Sequence, residues 1–373
     1  MEARRLAGVS ASTIRRMLEI TERAKREGKD VINLSVGEPD FHTDGAVVER
    51  AYRAMKEGYT HYTPSTGIAE LREAIAERYG VEAEEVMVTA GASEALLDVS
   101  LAYIEESSKV VVPTPNFLSY FTYVKICGAR TVQVPTHRDG FQLDPDRLNE
   151  VMDRGVSLVF LNYPNNPTGA VIDKNTLKAV VEIAEDCNAL VVSDEIYDQI
   201  YYDTKPYSLA GHENVIAVNG FSKRLAMTGW RIGFVIADKD VLEPILKVHQ
   251  VNGVCAPAFA QKAVADVLMD GTADRITQNM VKEFKERRDF VYKSLKDVFD
   301  VVKPEGAFYV FPDVGTDGTE FADNLFNSTG VVVTPGTAFG EGNERYVRIS
   351  YAASMDVLKK GVERIVRFAE EQE

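Results

Sequence analysis

Seven short apolar runs, separated by segments with helical periodicity, most constrain the fold of this chain. The runs are rich in β-branched residues and lie at 86–90, 109–113, 131–135, 158–163, 190–197, 215–222 and 230–237. Several are almost continuously apolar, as expected for strands that are covered on both faces. Helical patterns lie between many of them, for example at 93–106 and 174–188. This alternation predicts an α/β fold with crossover helices and one large, mostly parallel sheet.

A change of pattern near residue 257 indicates a second domain. The chain has 373 residues, which is about 2.5 times a typical domain length of roughly 150 residues. Helical patterns follow residue 257 and continue to about 298, and three short strands come after them, FYVFPD, VVVTP and YVRISYA. An N-terminal helix at about 10–28 could join these elements. We predict a large domain over 45–275 and a smaller α+β domain formed by 1–44 and 276–373, with a long helix at the boundary.

Composition excludes several classes of protein. The formal charge of −15 is spread along the chain, which disfavours broad nucleic-acid binding. Three cysteines without a C-x-x-C pair exclude a disulfide framework and a thiolate zinc site. The five histidines show no paired ligand spacing, so solvated or packed roles and no metal are expected. No stretch is apolar enough for a signal peptide or a membrane span. We therefore expect a cytoplasmic protein without a nucleic-acid or membrane partner.

Polar residues follow four of the predicted strands. They are Gly91 to Ser93, the NNPTG segment at 165–169, the pair Asp194 and Tyr197, and Ser222 with Lys223; Arg231 lies eight residues further on. Each has an ordinary structural explanation, because lone lysines are usually solvated, NPTG is usually a turn, and GAS can cap a helix. Ligands of open α/β sheets, however, collect beyond the carboxyl ends of the strands. The combination therefore predicts one site at one edge of the sheet.

The chemical groups at this edge suit pyridoxal phosphate (PLP). Lysine condenses with an aldehyde to a Schiff base, and Lys223 ends a strand that looks buried. Asp194 would keep the ring nitrogen protonated, so that the ring accepts electrons from the substrate. Tyr197 and Asn166 would bond the ring oxygen, and Phe117 could stack on the ring.

The phosphate of PLP would need an anion site, and the TAGAS turn at 89–93 offers one. Its free backbone N–H groups lead into the helix predicted at 93–106, and Arg231 would add a cation. Ser93 and Ser222 could contribute hydroxyl groups. From the local sequence alone, a simple helix cap is an equally good interpretation of this turn.

Nine ordered segments carry a resemblance to a known family. They are GEPDF (37–41), YTPSTGIAELREAIA (62–76), VTAGASEAL (88–96), NYPNNPTG (162–169), SDEIY (193–197), SKRLAMTGWRIG (222–233), GAFYVF (306–311), PGTAFG (335–340) and YVRISYA (346–352). The chain resembles the class I aminotransferases of the aspartate/aromatic aminotransferase group over nearly its whole length. The resemblance implies the fold type I architecture of PLP enzymes, with a mostly parallel seven-stranded sheet in the large domain and a smaller α+β domain.

The resemblance also implies a role for each matched residue. Lys223, Asp194 and Tyr197 would be catalytic. Cofactor contacts would come from Tyr62, Ala92, Ser93, Phe117, Asn166, Asp194, Tyr197, Ser222, Lys223 and Arg231. Arg348 would clamp the substrate α-carboxylate beside Gly37 and Asn166. Tyr62 would reach the phosphate in the neighbouring subunit, which implies a homodimer. Two departures stand out, because many relatives have serine where this chain has Gly220, and often proline within the stretch that follows GEPDF, 42–44 here.

The activity implied by the resemblance is transamination by a ping-pong cycle. An L-amino acid, aspartate or an aromatic one, would give its amino group to a 2-oxo acid, with 2-oxoglutarate as the expected acceptor. A β-lyase or a decarboxylase is the alternative, because this fold does not decide which α-carbon bond breaks. A ligand-sensing regulator is disfavoured because the motifs begin by residue 37, without a basic DNA-binding domain before them. A nicotinamide enzyme is disfavoured because no G-x-G-x-x-G follows an early strand.

Overall fold

A computed structural model describes residues 3–7, 9 and 13–372 of the chain. The predicted N-terminal helix corresponds to α1 (Thr13–Arg26), and residues 10–12 of that prediction lie outside the described residues. Within the described ranges, no helix is both long enough and apolar enough to cross a membrane.

A seven-stranded sheet forms the centre of the molecule, as predicted. Its strands are β2 (Val86–Thr89), β3 (Lys109–Thr114), β4 (Arg130–Pro135), β5 (Val156–Asn162), β6 (Leu190–Asp194), β7 (Val215–Gly220) and β8 (Gly233–Ile236). Their spatial order is β2-β8-β7-β6-β5-β3-β4, and only β8 runs against its two neighbours. Asn162 pairs with Asp194 across β5 and β6, so the polar ends of these strands meet at one edge.

Helices cover this sheet, which explains why its central strands are apolar on both faces. They are α2 (Gly45–Lys56), α3 (Ala69–Tyr79), α4 (Ala92–Tyr103), α5 (Ser119–Ile126), α6 (Pro145–Val151), α7 (Lys174–Asp186), α8 (Lys239–Asn252) and α9 (Ala258–Met269). Asp44 and Asp173 cap α2 and α7 with their carboxylates. The N-terminus of α4 differs, since Gly91 precedes it at φ 90° and no side chain caps it.

A second group of elements packs around its own core. It contains β1 (Ile32–Asn33), α10 (Thr272–Leu295), β9 (Tyr309–Val310), α11 (Gly318–Thr329), β10 (Val331–Val332), β11 (Thr334–Pro335), β12 (Val347–Ser350) and α12 (Met355–Glu370). Strand β1 pairs in parallel with β10, so the segment at Ile32–Asn33 joins the C-terminal elements. The proposed boundary at 275/276 falls inside α10, and the one at 44/45 falls where α2 begins.

Two predicted strands are shorter than the apolar runs by three residues or more. Strand β6 ends at Asp194, because its carboxylate accepts a hydrogen bond from the backbone N–H of Ile196 and the chain turns. Strand β8 begins only at Gly233, because a short 3-10 turn at Thr228–Trp230 and Arg231 at φ 58° precede it. Both turns place polar side chains at the edge of the sheet.

Candidate active site

A cavity of about 300 Å³ lies at the carboxyl ends of β5, β6 and β7, beside the start of α4. Tyr309 on β9, Arg348 on β12 and residues 36–38 after β1 close it from the other side. Its lining consists of Val36, Gly37, Glu38, Ala92, Ser93, Leu96, Phe117, Asn162, Asn166, Asp194, Ile196, Tyr197, Lys223, Thr228, Tyr309 and Arg348. Most of the side chains predicted from the sequence are therefore brought together in one cavity.

Lys223 lies in the turn that follows β7, and its side chain is half-buried. Its Nζ donates a hydrogen bond to the backbone oxygen of Gly37 at 2.8 Å. Burial lowers the pKa of Lys223 to about 8, and the charges of Arg348 and Arg231 act in the same direction. A larger neutral, nucleophilic fraction of this amine is therefore available near neutral pH than for an ordinary lysine.

Asp194 is buried at the end of β6 and faces the same cavity. One carboxylate oxygen accepts a 2.6 Å hydrogen bond from the hydroxyl of Tyr120, whose ring stacks on Phe160. Burial raises the pKa of Asp194 to about 6, while the bonds from Tyr120 and Ile196 oppose that rise. At neutral pH the group is thus a buried carboxylate, held in place by a fixed phenol donor.

Tyr197 and Asn166 complete the polar side of the cavity. The hydroxyl of Tyr197 lies 2.8 Å from that of Tyr309. Burial raises the pKa of Tyr197 well above its ordinary value, so the phenol stays neutral and can donate a hydrogen bond. The side-chain oxygen of Asn166 accepts a bond from Arg348 at 2.9 Å.

Arg348 on β12 is a fully buried cation without an anion. Its guanidinium donates to the side chain of Asn166 and to the backbone oxygen of Ser35 at 2.5 Å. Cζ of Arg348 lies 4.6 Å from the centroid of the Tyr309 ring. Nε of Arg348 has no hydrogen-bond partner within the described part of the chain. No carboxylate of the described residues pairs with it. A buried guanidinium in this state is suited to a carboxylate ligand.

The uncapped N-terminus of α4 and the guanidinium of Arg231 lie side by side. A Cβ atom on Gly91 would collide with the guanidinium of Arg231, so glycine is required for this approach. Arg231 donates to the backbone oxygen of Thr228 at 3.0 Å, and it forms no ion pair with any carboxylate that the structure describes. A free cation beside free helix N–H groups is an anion site.

Three predicted residues do not line the cavity. Ser222 is buried beside Lys223, and Arg231 lies behind Gly91. Tyr62 is 86% exposed on this single chain. The structure also explains the departure at Gly220, since a Cβ there would lie 2.9 Å from the backbone oxygen of Ile232.

Sequence reasoning missed Tyr309 and Glu38, which line the cavity, and Tyr120, which holds Asp194 from outside the lining. Tyr120 lies three residues after Phe117, at the start of α5 and far along the chain from its partner Asp194. Tyr309 and Glu38 lie within the matched segments GAFYVF and GEPDF, but without an assigned role. The matched motifs could therefore have pointed to Tyr309 and Glu38. They do not reveal which residues contact each other, so they could not have pointed to Tyr120.

The donor set fits PLP. One cavity holds an amine, a buried carboxylate and a neutral phenol, and an anion site lies at its edge. The unpaired guanidinium of Arg348 provides a separate place for a carboxylate. Aldehyde, ring nitrogen, ring oxygen and phosphate therefore each find a complementary group.

Comparisons with known proteins agree with this chemistry. The family model of aminotransferase class I and II matches residues 29–365. The chain is 41% identical over 383 residues to aspartate aminotransferase of Pyrococcus horikoshii, which covers 99% of this chain and 97% of the relative. It is 37% identical over 385 residues to aromatic-amino-acid aminotransferase 2 of Thermococcus litoralis, and this match covers 99% of this chain and 98% of the relative.

Solved structures extend the similarity to the fold. A double mutant of aspartate aminotransferase from Thermus thermophilus matches with a TM-score of 0.93 at 35% identity, and the match covers 98% of this chain and 99% of that one. The predicted resemblance and the fold type I architecture are confirmed. The chain therefore belongs to the class I and II aminotransferase family and is a PLP-dependent aminotransferase.

Proposed function

We propose that Lys223 anchors PLP through its aldehyde and that Asp194 faces the ring nitrogen. The observation that carries this proposal is the single cavity in which these groups meet. Tyr197 and Asn166 donate to the ring oxygen, and Phe117 packs on the ring. Tyr120 supports this arrangement because it fixes the carboxylate of Asp194.

The phosphate of PLP, in this proposal, binds at the N-terminus of α4. Ala92 and Ser93 offer backbone and hydroxyl donors, and Arg231 supplies the charge next to Gly91. Ser222 lies close to Lys223 in the chain and is assigned a supporting cofactor contact. Because Gly220 has no space for a side chain, the serine found in many relatives is replaced here by these other donors.

The amino-acid substrate binds with its α-carboxylate on Arg348. The guanidinium is already oriented by Asn166 and by the backbone oxygen of Ser35, so little side-chain entropy is lost on binding. Gly37 borders the same group, and a Cβ there would collide with the hydroxyl of Tyr309. This glycine therefore allows the segment after β1 to close on the site.

Lys223 then acts as the general acid and base. PLP, when bound, withdraws electrons from the α-carbon of the amino acid. Once the amino group of the substrate has replaced it on the cofactor aldehyde, the amine of Lys223, with its pKa lowered to about 8, would be free to take a proton from that carbon and to return one to the cofactor. Asp194 keeps its negative charge next to the ring nitrogen throughout the cycle. The neutral phenol of Tyr197 keeps donating a hydrogen bond to the ring oxygen.

For the substrates, we infer an L-amino acid donor, aspartate or aromatic, and 2-oxoglutarate as acceptor in a ping-pong cycle. Relatives carry both donor names, aspartate and aromatic. The lining contains two cations, Lys223 and Arg348, and both already have roles. A substrate with an acidic side chain would therefore need a further hydrogen-bond donor or cation, whereas a substrate with an aromatic side chain would need an apolar surface to pack against. A panel of amino donors with 2-oxoglutarate, followed by cofactor absorbance, distinguishes the two classes.

We also propose a homodimer in which Tyr62 reaches the phosphate of the neighbouring subunit. Tyr62 is 86% and Val251 84% exposed on the single chain. His249 near the end of α8 bonds the backbone oxygen of Ser65, so the segments that carry Tyr62 and Val251 are in contact. Large exposed apolar patches commonly mark interfaces.

A cytoplasmic location, expected from the three unpaired cysteines, remains a prediction.

Reductive trapping tests the anchor. We expect that borohydride treatment of the PLP-loaded protein attaches the cofactor irreversibly to the peptide containing Lys223, as read by mass spectrometry. Lys223→Ala should abolish turnover and the visible absorbance of bound cofactor. Attachment to another lysine, or to none, would contradict the assignment.

A further inference from the structure

Behind the N-terminus of α4 lies a buried cluster of three titratable groups that the proposed function does not use. Nδ1 of His249 on α8 lies 3.2 Å from a carboxylate oxygen of Glu94 and 3.5 Å from one of Asp98. His249 and Asp98 are fully buried, and the Asp98 oxygen has no other partner within the described residues. Two carboxylates of one helix thus face a single imidazole.

The other ring nitrogen of His249 is also engaged. Nε2 lies 2.9 Å from the backbone oxygen of Ser65, which can only accept, so Nε2 carries a hydrogen. Nδ1 faces only carboxylate oxygens, so a hydrogen there bonds Glu94 and places positive charge next to Asp98. Both nitrogens therefore carry hydrogens, and the ring is an imidazolium.

The cluster is connected to the phosphate-binding turn. The second carboxylate oxygen of Glu94 accepts the backbone N–H of Ala90, which lies in the 89–93 turn. Ser65 belongs to the segment that carries Tyr62. A Cβ on Gly253 would collide with the carboxylate of Glu94, so a larger residue there would displace this side chain from His249. His249 thus bridges both segments assigned to the phosphate.

We infer that His249 is a positively charged positioning residue, which joins the 89–93 turn to the Tyr62 segment and offsets the charges of Glu94 and Asp98 beneath the phosphate. This inference rests on the proposed function, because it assumes that the phosphate binds at α4. Without the imidazolium, two carboxylates on the first turns of α4 would oppose a phosphate dianion at the same helix end.

The charge state agrees with the surroundings of the ring. Burial by itself lowers the pKa of His249, but the hydrogen bonds and charges of Asp98 and Glu94 outweigh it and raise the pKa to about 9. Asn252, which lies on α8 with His249, donates a hydrogen bond to Asp98 and not to the imidazole ring. Ser65 is the contact from the segment before α3. The stabilisation is thus complete below pH 6.5 and is lost as the pH rises through about 9.

A metal ion is the other occupant that such a cluster could hold. A proton is favoured because Nδ1 already lies at hydrogen-bond distance from Glu94, and because the cluster is almost closed to solvent. Metal analysis of the purified protein distinguishes the two.

The test compares PLP with pyridoxal, which lacks the phosphate. We expect His249→Gln to bind PLP roughly tenfold more weakly and pyridoxal as well as the wild type does. The double variant His249→Gln/Asp98→Asn should recover most of the PLP affinity, because it removes the uncompensated charge. His212→Gln is the matched control, since His212 is half-buried and bonds Tyr207 away from the cavity; it should leave both affinities unchanged.

Several outcomes would overturn the inference. They are unchanged PLP affinity, an equal loss for both ligands, or a stoichiometric metal whose removal by chelator reproduces the loss. A wild type that bound no PLP would instead overturn the proposed function, and this inference with it.

A measurement on the unaltered holoenzyme keeps the inference testable even if the variant does not fold. With only five histidines in the chain, ¹⁵N-histidine NMR can resolve each ring. We expect both nitrogens of His249 to be protonated at pH 7.5 and to titrate near pH 9. A neutral ring at pH 7.5 would overturn the assignment.

Discussion

Lys223, Asp194 and Arg348 are buried or half-buried charged groups, and their nearest partners are backbone oxygens, a phenol and an amide. Burying a charge without an opposite charge is costly, so such groups concentrate where a ligand supplies the missing charge. The aspartate faces a ring nitrogen and the arginine faces a carboxylate in the proposed function. Their unpaired state is thus the residue-scale signature of the site.

Arg348→Lys tests the carboxylate clamp. Lysine keeps the charge but loses the second parallel hydrogen bond, which costs about 1.5–3 kcal/mol. We expect roughly 10–100-fold weaker use of the amino acid, mostly in KM, as measured by steady-state kinetics. Arg345→Lys is the control, because its side chain is 62% exposed and pairs with Asp313. Unchanged kinetics in Arg348→Lys would remove this residue from the site.

Asp194→Asn tests, through the pH dependence of stability, whether the carboxylate proposed to face the ring nitrogen is buried. The folded-state pKa of Asp194 is raised from 3.8 to about 6, so the folded protein binds more protons than the unfolded one between these values. Cofactor-free wild type should therefore lose stability from this group, on the order of 1 kcal/mol, between pH 5 and pH 8.

The asparagine variant should lack this loss in denaturant unfolding of the cofactor-free protein, and its turnover with PLP should fall strongly. If the pH dependence of unfolding were the same in both proteins, the carboxylate of Asp194 would not be the buried acid described here.

At the scale of elements, the site depends on close backbone approach between β7, β8 and α4. Gly220 pairs with Gly233 across β7 and β8, and a Cβ on Gly233 would lie 2.5 Å from the backbone nitrogen of Ala92. Without side chains at these two positions, β8 packs directly against the start of α4. Arg231, just before β8, thereby reaches the helix end.

Gly220→Ser tests this packing. The new Cβ would lie 2.9 Å from the backbone oxygen of Ile232 and 3.1 Å from Cα of Gly233, so neither neighbour can move cheaply. We expect a loss of about 1–3 kcal/mol in thermal or denaturant unfolding and no gain in PLP affinity. Gly45→Ser, at a position with no atom within 4 Å of the added Cβ, should be nearly neutral. Tighter PLP binding by Gly220→Ser would show that the relatives' serine contact can be formed here.

For the whole molecule, the question is whether one chain contains a complete site. The cavity brings together Lys223, Asp194 and Arg348 from both groups of elements, but Tyr62 lies exposed outside it. A dimer would bring the partner's tyrosine to the phosphate, whereas a monomer would leave it in solvent.

Mixing the Tyr62→Ala and Lys223→Ala variants tests whether each active site contains residues of both subunits. Tyr62→Ala should bind PLP roughly tenfold more weakly, and Lys223→Ala should be inactive. In a mixed dimer, one site has an intact lysine and receives an intact tyrosine from the partner. We expect activity at limiting PLP to exceed that of either parent protein after subunit exchange, in a species that sediments as a dimer. Activity that never exceeds the sum of the parents would place Tyr62 in its own subunit's site or outside any site.

Much of this architecture could be predicted locally. All seven predicted strands of the large sheet are present, and the residues after β5, β6 and β7 line the cavity. Apolar periodicity and turn residues are properties of neighbouring positions, so they can be read from a window of the chain. The lengths of β6 and β8 were overestimated, because the turns that end them depend on hydrogen bonds and backbone angles that periodicity does not reveal.

The sequence by itself determined which residues have the chemistry of the site and the order in which strands and helices occur. Only the tertiary structure decided that Arg348 meets Asn166 182 residues away, and that Lys223 meets Gly37 186 residues away. It also decided that His249 is buried against two carboxylates of α4, Glu94 and Asp98. The physical reason is that burial and pairing arise from the packing of distant segments, which no local pattern encodes.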